Sequence, residues 1–194
     1  MKIIDIINQS ADLLDLREAK AVLLSATNEN EAEVLENEQV ASLFNLIKFS
    51  IQELCTNYVP FLVGETVVTA DCKYNLYKLK NYIRLHEITK NGEQVKYKII
   101  NRCLQFEEDG EYNIEYVSYP EINSLFEEID FLHKFNADVM VYGLCAYFSL
   151  AHGLFEEFKG YHEIYVEKAE NLRELKVFSM PQRSWQWNKK NVLK

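Results

Sequence analysis

The residues able to do chemistry in this chain are four histidines, four cysteines, a large set of carboxylates and two tryptophans. His86, His133, His152 and His162 are scattered, and none stands at metal-ligand spacing from another histidine or a cysteine. His162 interrupts an aromatic stripe, which points to packing or a helix-surface role rather than ligation. The acidic runs Glu107-Glu108-Asp109 and Glu127-Glu128 with Asp130 lack the alternating spacing of a calcium loop and read as solvated surface. The sequence contains no GxxxxGK[ST], GxGxxG or GxSxG pattern, so neither a phosphate cradle nor a nucleophile elbow is visible. A glycosidase-type pair of distant carboxylates would leave no local trace and stays open on sequence grounds. The expectation is a protein that is not an enzyme and uses no metal or cofactor.

The tryptophans ask for a different chemistry. Trp185 and Trp187 lie in the polar stretch SMPQRSWQWNKK, beyond the last predicted helix. Two indoles at i and i+2 of an extended segment point the same way. Each offers a large apolar area and one N–H donor. Such a pair either anchors in a partner's groove or folds back on its own domain, and docking is the favoured reading. From Lys176 onward there are five basic residues (Lys176, Arg183, Lys189, Lys190 and Lys194) and no acidic ones, whereas the whole chain carries a net charge of −9. A basic arm on an acidic body suits an acidic partner, a neighbouring copy included; a solvated terminus is the plainer alternative. The acidic body argues against coating nucleic acid.

The elements that must position these groups follow from periodicity. Ile3–Leu16 predicts a short helix, with Ile4, Ile7, Ala11 and Leu14 on one face. Residues 28–37 read as a loop or as exposed helical turns. From Glu38 to Tyr58 apolar residues recur at steps of three and four, an amphipathic helix ended by Pro60. Phe61–Thr69, Tyr82–Thr89, Val95–Ile100, Arg102–Phe106 and Glu111–Tyr119 are rich in β-branched and aromatic residues. Turn signals at Asn91-Gly92 and Asp109-Gly110 join them into a small antiparallel sheet. Tyr112, Ile114 and Tyr116 share one side of its last strand.

Phe135–Leu150 is apolar nearly all round, so it requires cover on most sides, from its own domain or a neighbour. Its apolar stretch, Ala137–Leu150, is shorter than the roughly 20 residues a membrane span needs. Gly153 closes that helix, and Phe155–Lys176 returns antiparallel with Phe155, Phe158, His162, Tyr165, Ala169 and Leu172 as its apolar stripe. The fold class expected is α+β and mainly helical: helices over residues 1–60, an inserted β-rich unit over 61–120, a helix pair over 121–176 and an extended docking tail over 177–194. Cys55, Cys72, Cys103 and Cys145 form no close pair, which suggests a reducing, cytosolic origin without disulfides. The start MKIIDIINQS is too short and too polar for a signal peptide.

The strand GEYNIEYVSYP, the linker EINSLFEEIDFLHKF, the helix pair ADVMVYGLCAYFSLAHGLFEEFKGYHEIYVEKAENLREL and the ending PQRSWQWN make this layout resemble the head-to-tail adaptor (connector) proteins of tailed bacteriophages. Members of that family are mostly helical with a small β-domain inserted. They form a ring, typically of twelve, beneath the portal; the ring extends the DNA channel and offers a platform to tail proteins. The resemblance implies a virion location at the portal vertex and a ring of identical copies. It implies that the helix pair builds the ring wall, with Phe135, Val139, Tyr142, Tyr147, Phe155, Phe158 and Tyr165 packing between subunits. It also implies that Arg183, Trp185, Trp187, Lys189 and Lys190 reach the portal protein, and that DNA passes without sequence-specific binding. The departures are a longer N-terminal part, residues 1–37, and a longer loop at Ala70–Asn81. The reading from a different class is a non-enzymatic binding module that holds another protein with its sheet and Trp-bearing tail.

Overall fold

Asn37 caps the longest helix of the N-terminal half: its Oδ1 accepts hydrogen bonds from the backbone N–H groups of Gln39 and Val40, both 3.1 Å. A computed structural model describes residues 2–129 and 137–179 of the chain, and its fold is α+β and mainly helical. The capped helix, α4 (Glu38–Asn57), buries Val40, Leu43, Phe44, Ile47, Ile51 and Leu54, the stripe its periodicity demands. Before it come α1 (Ile3–Leu13), α2 (Arg17–Leu24) and the single turn α3 (Glu31–Val34). The periodicity of the N-terminal part does not reveal α2, because only Ala19 and Leu23 of its eight residues are buried.

The first donors of α1 are satisfied by the segment that follows the sheet. Ile3 N donates to the Glu127 carbonyl at 3.1 Å and Ile4 N to the Leu125 carbonyl at 2.7 Å. Glu31 grips the same segment, accepting from Ser124 Oγ at 2.9 Å and Leu125 N at 2.6 Å. The stretch read as a plain linker is thus stitched to the N-terminal helices.

The middle of the chain forms two antiparallel sheets rather than one. Strands β1 (Phe61–Val68), β7 (Glu111–Ser118), β3 (Arg84–Lys90) and β4 (Glu93–Gln94) lie in the order β1-β7-β3-β4. Strands β2 (Lys73–Asn75), β6 (Cys103–Gln105) and β5 (Lys98–Ile100) make a second sheet in the order β2-β6-β5. Two-residue turns with positive φ at both positions join the hairpins: Asp71-Cys72 (55° and 54°), Asn91-Gly92 (53° and 82°) and Asn101-Arg102 (50° and 60°). That mirror-image turn matches the twist of the strands it connects. β2 occupies part of the loop at Ala70–Asn81. Its turn is held by Asp109, whose Oδ1 accepts from the Cys72 N–H at 2.6 Å and from Thr69 Oγ1 at 3.3 Å. Tyr112, Ile114 and Tyr116 of β7 point to one side and are buried with Val67, Ile88 and Leu104 in a core of their own.

The second core is helical. α5 (Ala137–Ala151) packs on α1, α4 and α6 (Phe155–Ser179). Val139, Met140, Val141, Leu144, Cys145, Ala146 and Phe148 of α5 are buried inside the chain. Of the two sources of cover that the sequence leaves open, its own domain or a neighbour, the first supplies most of it: three helices of the same protomer pack on the apolar rod. Burial raises the Cys145 thiol pKa to about 12, consistent with a small packed hydrophobe. All four cysteines are free thiols. Among the described residues no helix is long and apolar enough to cross a membrane.

Candidate docking surfaces

Gly153, at φ 73°, ends α5 and turns the chain into α6. The two helices approach most closely where Gly143 meets the ring of Tyr165: a Cβ on Gly143 would lie 3.0 Å from Tyr165 Cδ2. Tyr165 is 0% exposed, and its hydroxyl donates to Glu53 Oε2 on α4 at 2.9 Å. Tyr147 of α5 donates to the same oxygen. Glu53 therefore ties three helices together through two phenols. Around it the rings of Phe49 and Tyr147 meet edge-on at 4.9 Å, and Tyr58 and Tyr165 at 6.1 Å. His162 lies between Phe158 and Tyr165, with centroids 5.0 and 6.3 Å away, a packing role.

Burial raises the pKa of both Tyr147 and Tyr165, and the Glu53 carboxylate raises them further. In the unfolded chain these phenols deprotonate near 10; in the folded chain they do so at higher pH. Their contribution to stability is therefore complete below pH 10 and is lost as pH rises through the folded values. Urea midpoints measured across the alkaline range should fall in wild type, and less steeply in Tyr165→Phe.

The predicted packing residues divide. Val139 and Tyr165 are sealed inside the protomer, so neither can touch a neighbouring copy; this corrects their assignment to subunit packing. Tyr142 and Tyr147 are half-buried: Tyr142 faces Tyr161 with centroids 6.4 Å apart and carries Lys168 Nζ 5.5 Å above its ring. Phe158 is half-buried, and Phe155 is 62% exposed. The apolar spacing of α6 therefore continues past the contact that buries Tyr165, Ala169 and Leu172. Leu150, Leu154 and Phe155 gather at the tip of the helix pair as exposed apolar side chains. Phe135, and the arm residues Arg183, Trp185, Trp187, Lys189 and Lys190, lie outside the described residues, as do Asp130 and His133.

Two features escape the sequence. Glu53 looks like any helix-surface carboxylate; only the fold brings Tyr147 and Tyr165 to it. The outer face of the four-stranded sheet is the other. There Gly64, Glu115 and Glu87 stand in one row across β1, β7 and β3, in a shallow groove of about 350 Å³ that also includes Thr66, Thr89 and Asn113. His86 Nε2 lies 3.8 Å from the Glu115 carboxylate, at the register shift of β3. Among the described residues no group of three or more His, Cys, Asp or Glu side chains could hold a metal ion.

The chain matches no protein-family model, and no curated protein matches it.

Proposed function

We propose that this chain is a structural virion protein, a head-to-tail adaptor that forms a ring between portal and tail and extends the DNA channel. The observation that carries the reading is the order of parts. A long helix leads into an antiparallel β insertion, an antiparallel helix pair follows, and α6 runs to Ser179 directly ahead of a basic, doubly Trp-bearing arm. The exposed apolar tip at Leu150, Leu154 and Phe155, and the exposed Phe49 on α4, offer contact area between copies. The internal cover of α5 removes one argument for a ring and leaves these. An acidic body would let a DNA duplex pass without holding it.

The test is made on particles. Imaging of the portal vertex should find a ring of this chain beneath the portal. Deletion of residues 180–194 should leave the circular dichroism and thermal midpoint of the isolated protein unchanged, with near-complete loss of heads joined to tails. A chain absent from particles sinks the reading, and an unfolded truncation would instead place the arm within its own domain. The second reading, a binding module outside any ring, is favoured by one feature, the open edge of β1. It would give capture of a partner by a chain that never oligomerises in particles.

A further inference from the structure

Among the described residues Leu62–Val68 of β1 is the longest run of strand with no strand beyond it; the opposite side of the sheet is covered by β4 only at Thr89 and Lys90 of β3. The four-stranded sheet ends on one side in β1, eight residues long, and on the other in β4, two residues long. The second sheet ends in strands of three residues each. Long edges are usually blunted by lysine, proline or a bulge, because they template pairing with another chain. β1 (FLVGETVV) has no lysine and no proline, and its register with β7 runs unbroken from Phe61↔Ser118 to Val68↔Glu111. Its only charge, Glu65, accepts a hydrogen bond from the Tyr116 hydroxyl.

The outward side chains of this edge are Leu62 (37% exposed), Gly64, Thr66 and Val68 (74% exposed). Above Gly64 the space is empty: a Cβ there would meet nothing within 4 Å. Beside Gly64 stand Glu115 and then Glu87, directly opposite each other on adjacent strands. His86 Nε2 lies 3.8 Å from Glu115, and a cation laid over this row adds charge of the sign that adjacent carboxylates favour.

The chain itself carries a segment of matching chemistry. In extended geometry successive side chains alternate, so Arg183, Trp185, Trp187 and Lys189 share one face. That face is cation, indole, indole, cation. An indole beside an edge glycine fills the place of the missing side chain. Arg and Lys are long enough to reach across β1 to the glutamates of β7. Residues 180–194 hold four basic side chains and no acidic one, against an edge flanked by Glu111, Glu115 and Glu87.

We propose that residues 183–189 of one copy add as a fifth strand along β1 of another copy. Main-chain hydrogen bonds supply affinity, and the two indoles and flanking cations supply specificity. The proposal rests on reading the arm as a docking device in a ring. A link from the arm of one copy to the edge of the next is heterologous, the type of contact that closes rings.

Trp185 and Trp187 are the chain's two tryptophans, so indole fluorescence reports the arm directly. For the full chain the expected result is an emission blue shift that grows with protein concentration. It should be lost in Gly64→Lys, whose new side chain enters open space and adds a like charge. In assembled particles, a photo-cross-linking residue at position 185 should give a product of twice the chain mass, linked within β1. A blue shift independent of concentration, or a link within a single chain, places the arm on its own domain and overturns the proposal. So does a shift indifferent to Gly64→Lys. Particles that contain the chain but give links only to other proteins overturn strand addition and leave the ring standing. A chain absent from particles removes the ring, and the fluorescence of the free protein then decides strand addition alone.

Discussion

Tyr165→Ala should lower the unfolding free energy by about 3–5 kcal/mol, the range for deleting a large buried aromatic. The ring is wholly buried, it lies on Gly143, and it meets Tyr58 and Tyr147 edge-on at 6.1 and 6.3 Å. Surfaces of α4, α5 and α6 would line the resulting void, and rigid helices collapse poorly into it. Tyr165→Phe keeps the ring and removes only the hydroxyl that donates to Glu53 at 2.9 Å. Its cost should be about 1.5–3 kcal/mol, the value of a hydrogen bond to a charged group, and at the lower end because Tyr147 still reaches the same carboxylate. The urea midpoint should drop for both variants at nearly unchanged slope, with the alanine variant the more damaged. Equal losses would mean that the hydroxyl, not the ring, holds the helix pair.

Gly143→Val should destabilise by about 3 kcal/mol, the upper end for overpacking a core. A Cβ at that position already sits 3.0 Å from two carbons of the Tyr165 ring, and the ring has no exposed side toward which to move. The γ carbons of valine would intrude further. Helix propensity works the other way, since replacing a mid-helix glycine gains up to about 1 kcal/mol. Gly143→Ala should therefore fall near neutrality while Gly143→Val does not. Combining Gly143→Val with Tyr165→Ala should cost less than the sum, because the new side chain enters the space the ring vacates. Strict additivity in that double variant would show that the two residues do not oppose each other.

Periodicity made α4 and β7 legible: apolar steps of three and four in one, alternation in the other, and both stripes are buried where the pattern puts them. α5 was legible as buried but not in what covers it. An all-round apolar helix reports the need for cover, and only the arrangement of α1, α4 and α6 reveals that its own chain provides it. Phe155 shows the converse. Its spacing from Phe158, His162 and Tyr165 is regular, yet it is the first residue of α6, at the tip where α5 ends, so the stripe begins before there is anything for it to pack on. β2 was hidden because three residues in a polar loop make no pattern, and its turn puts a cysteine at positive φ where glycine or asparagine would have announced it. Glu53 and the row Gly64–Glu115–Glu87 were hidden for a more basic reason. Their partners lie on other elements, and one chain read in order does not say which elements meet. Gly143 carries a signal that periodicity passes over, since a glycine inside a helix often marks close approach, but only the fold shows that Tyr165 is what approaches it.

The unbroken register that sets Phe61 opposite Ser118 has a further consequence. Paired residues of adjacent strands stand only about 5 Å apart, so the chain leaves the helical frame and comes back to it at almost one point. From the frame's side, everything between those residues is a loop already shut. Lengthening or shortening its outer hairpins imposes hardly any added closure entropy on the helices. Change in this chain can thus accumulate at the far end of the insertion while the bundle that carries it stays as it is.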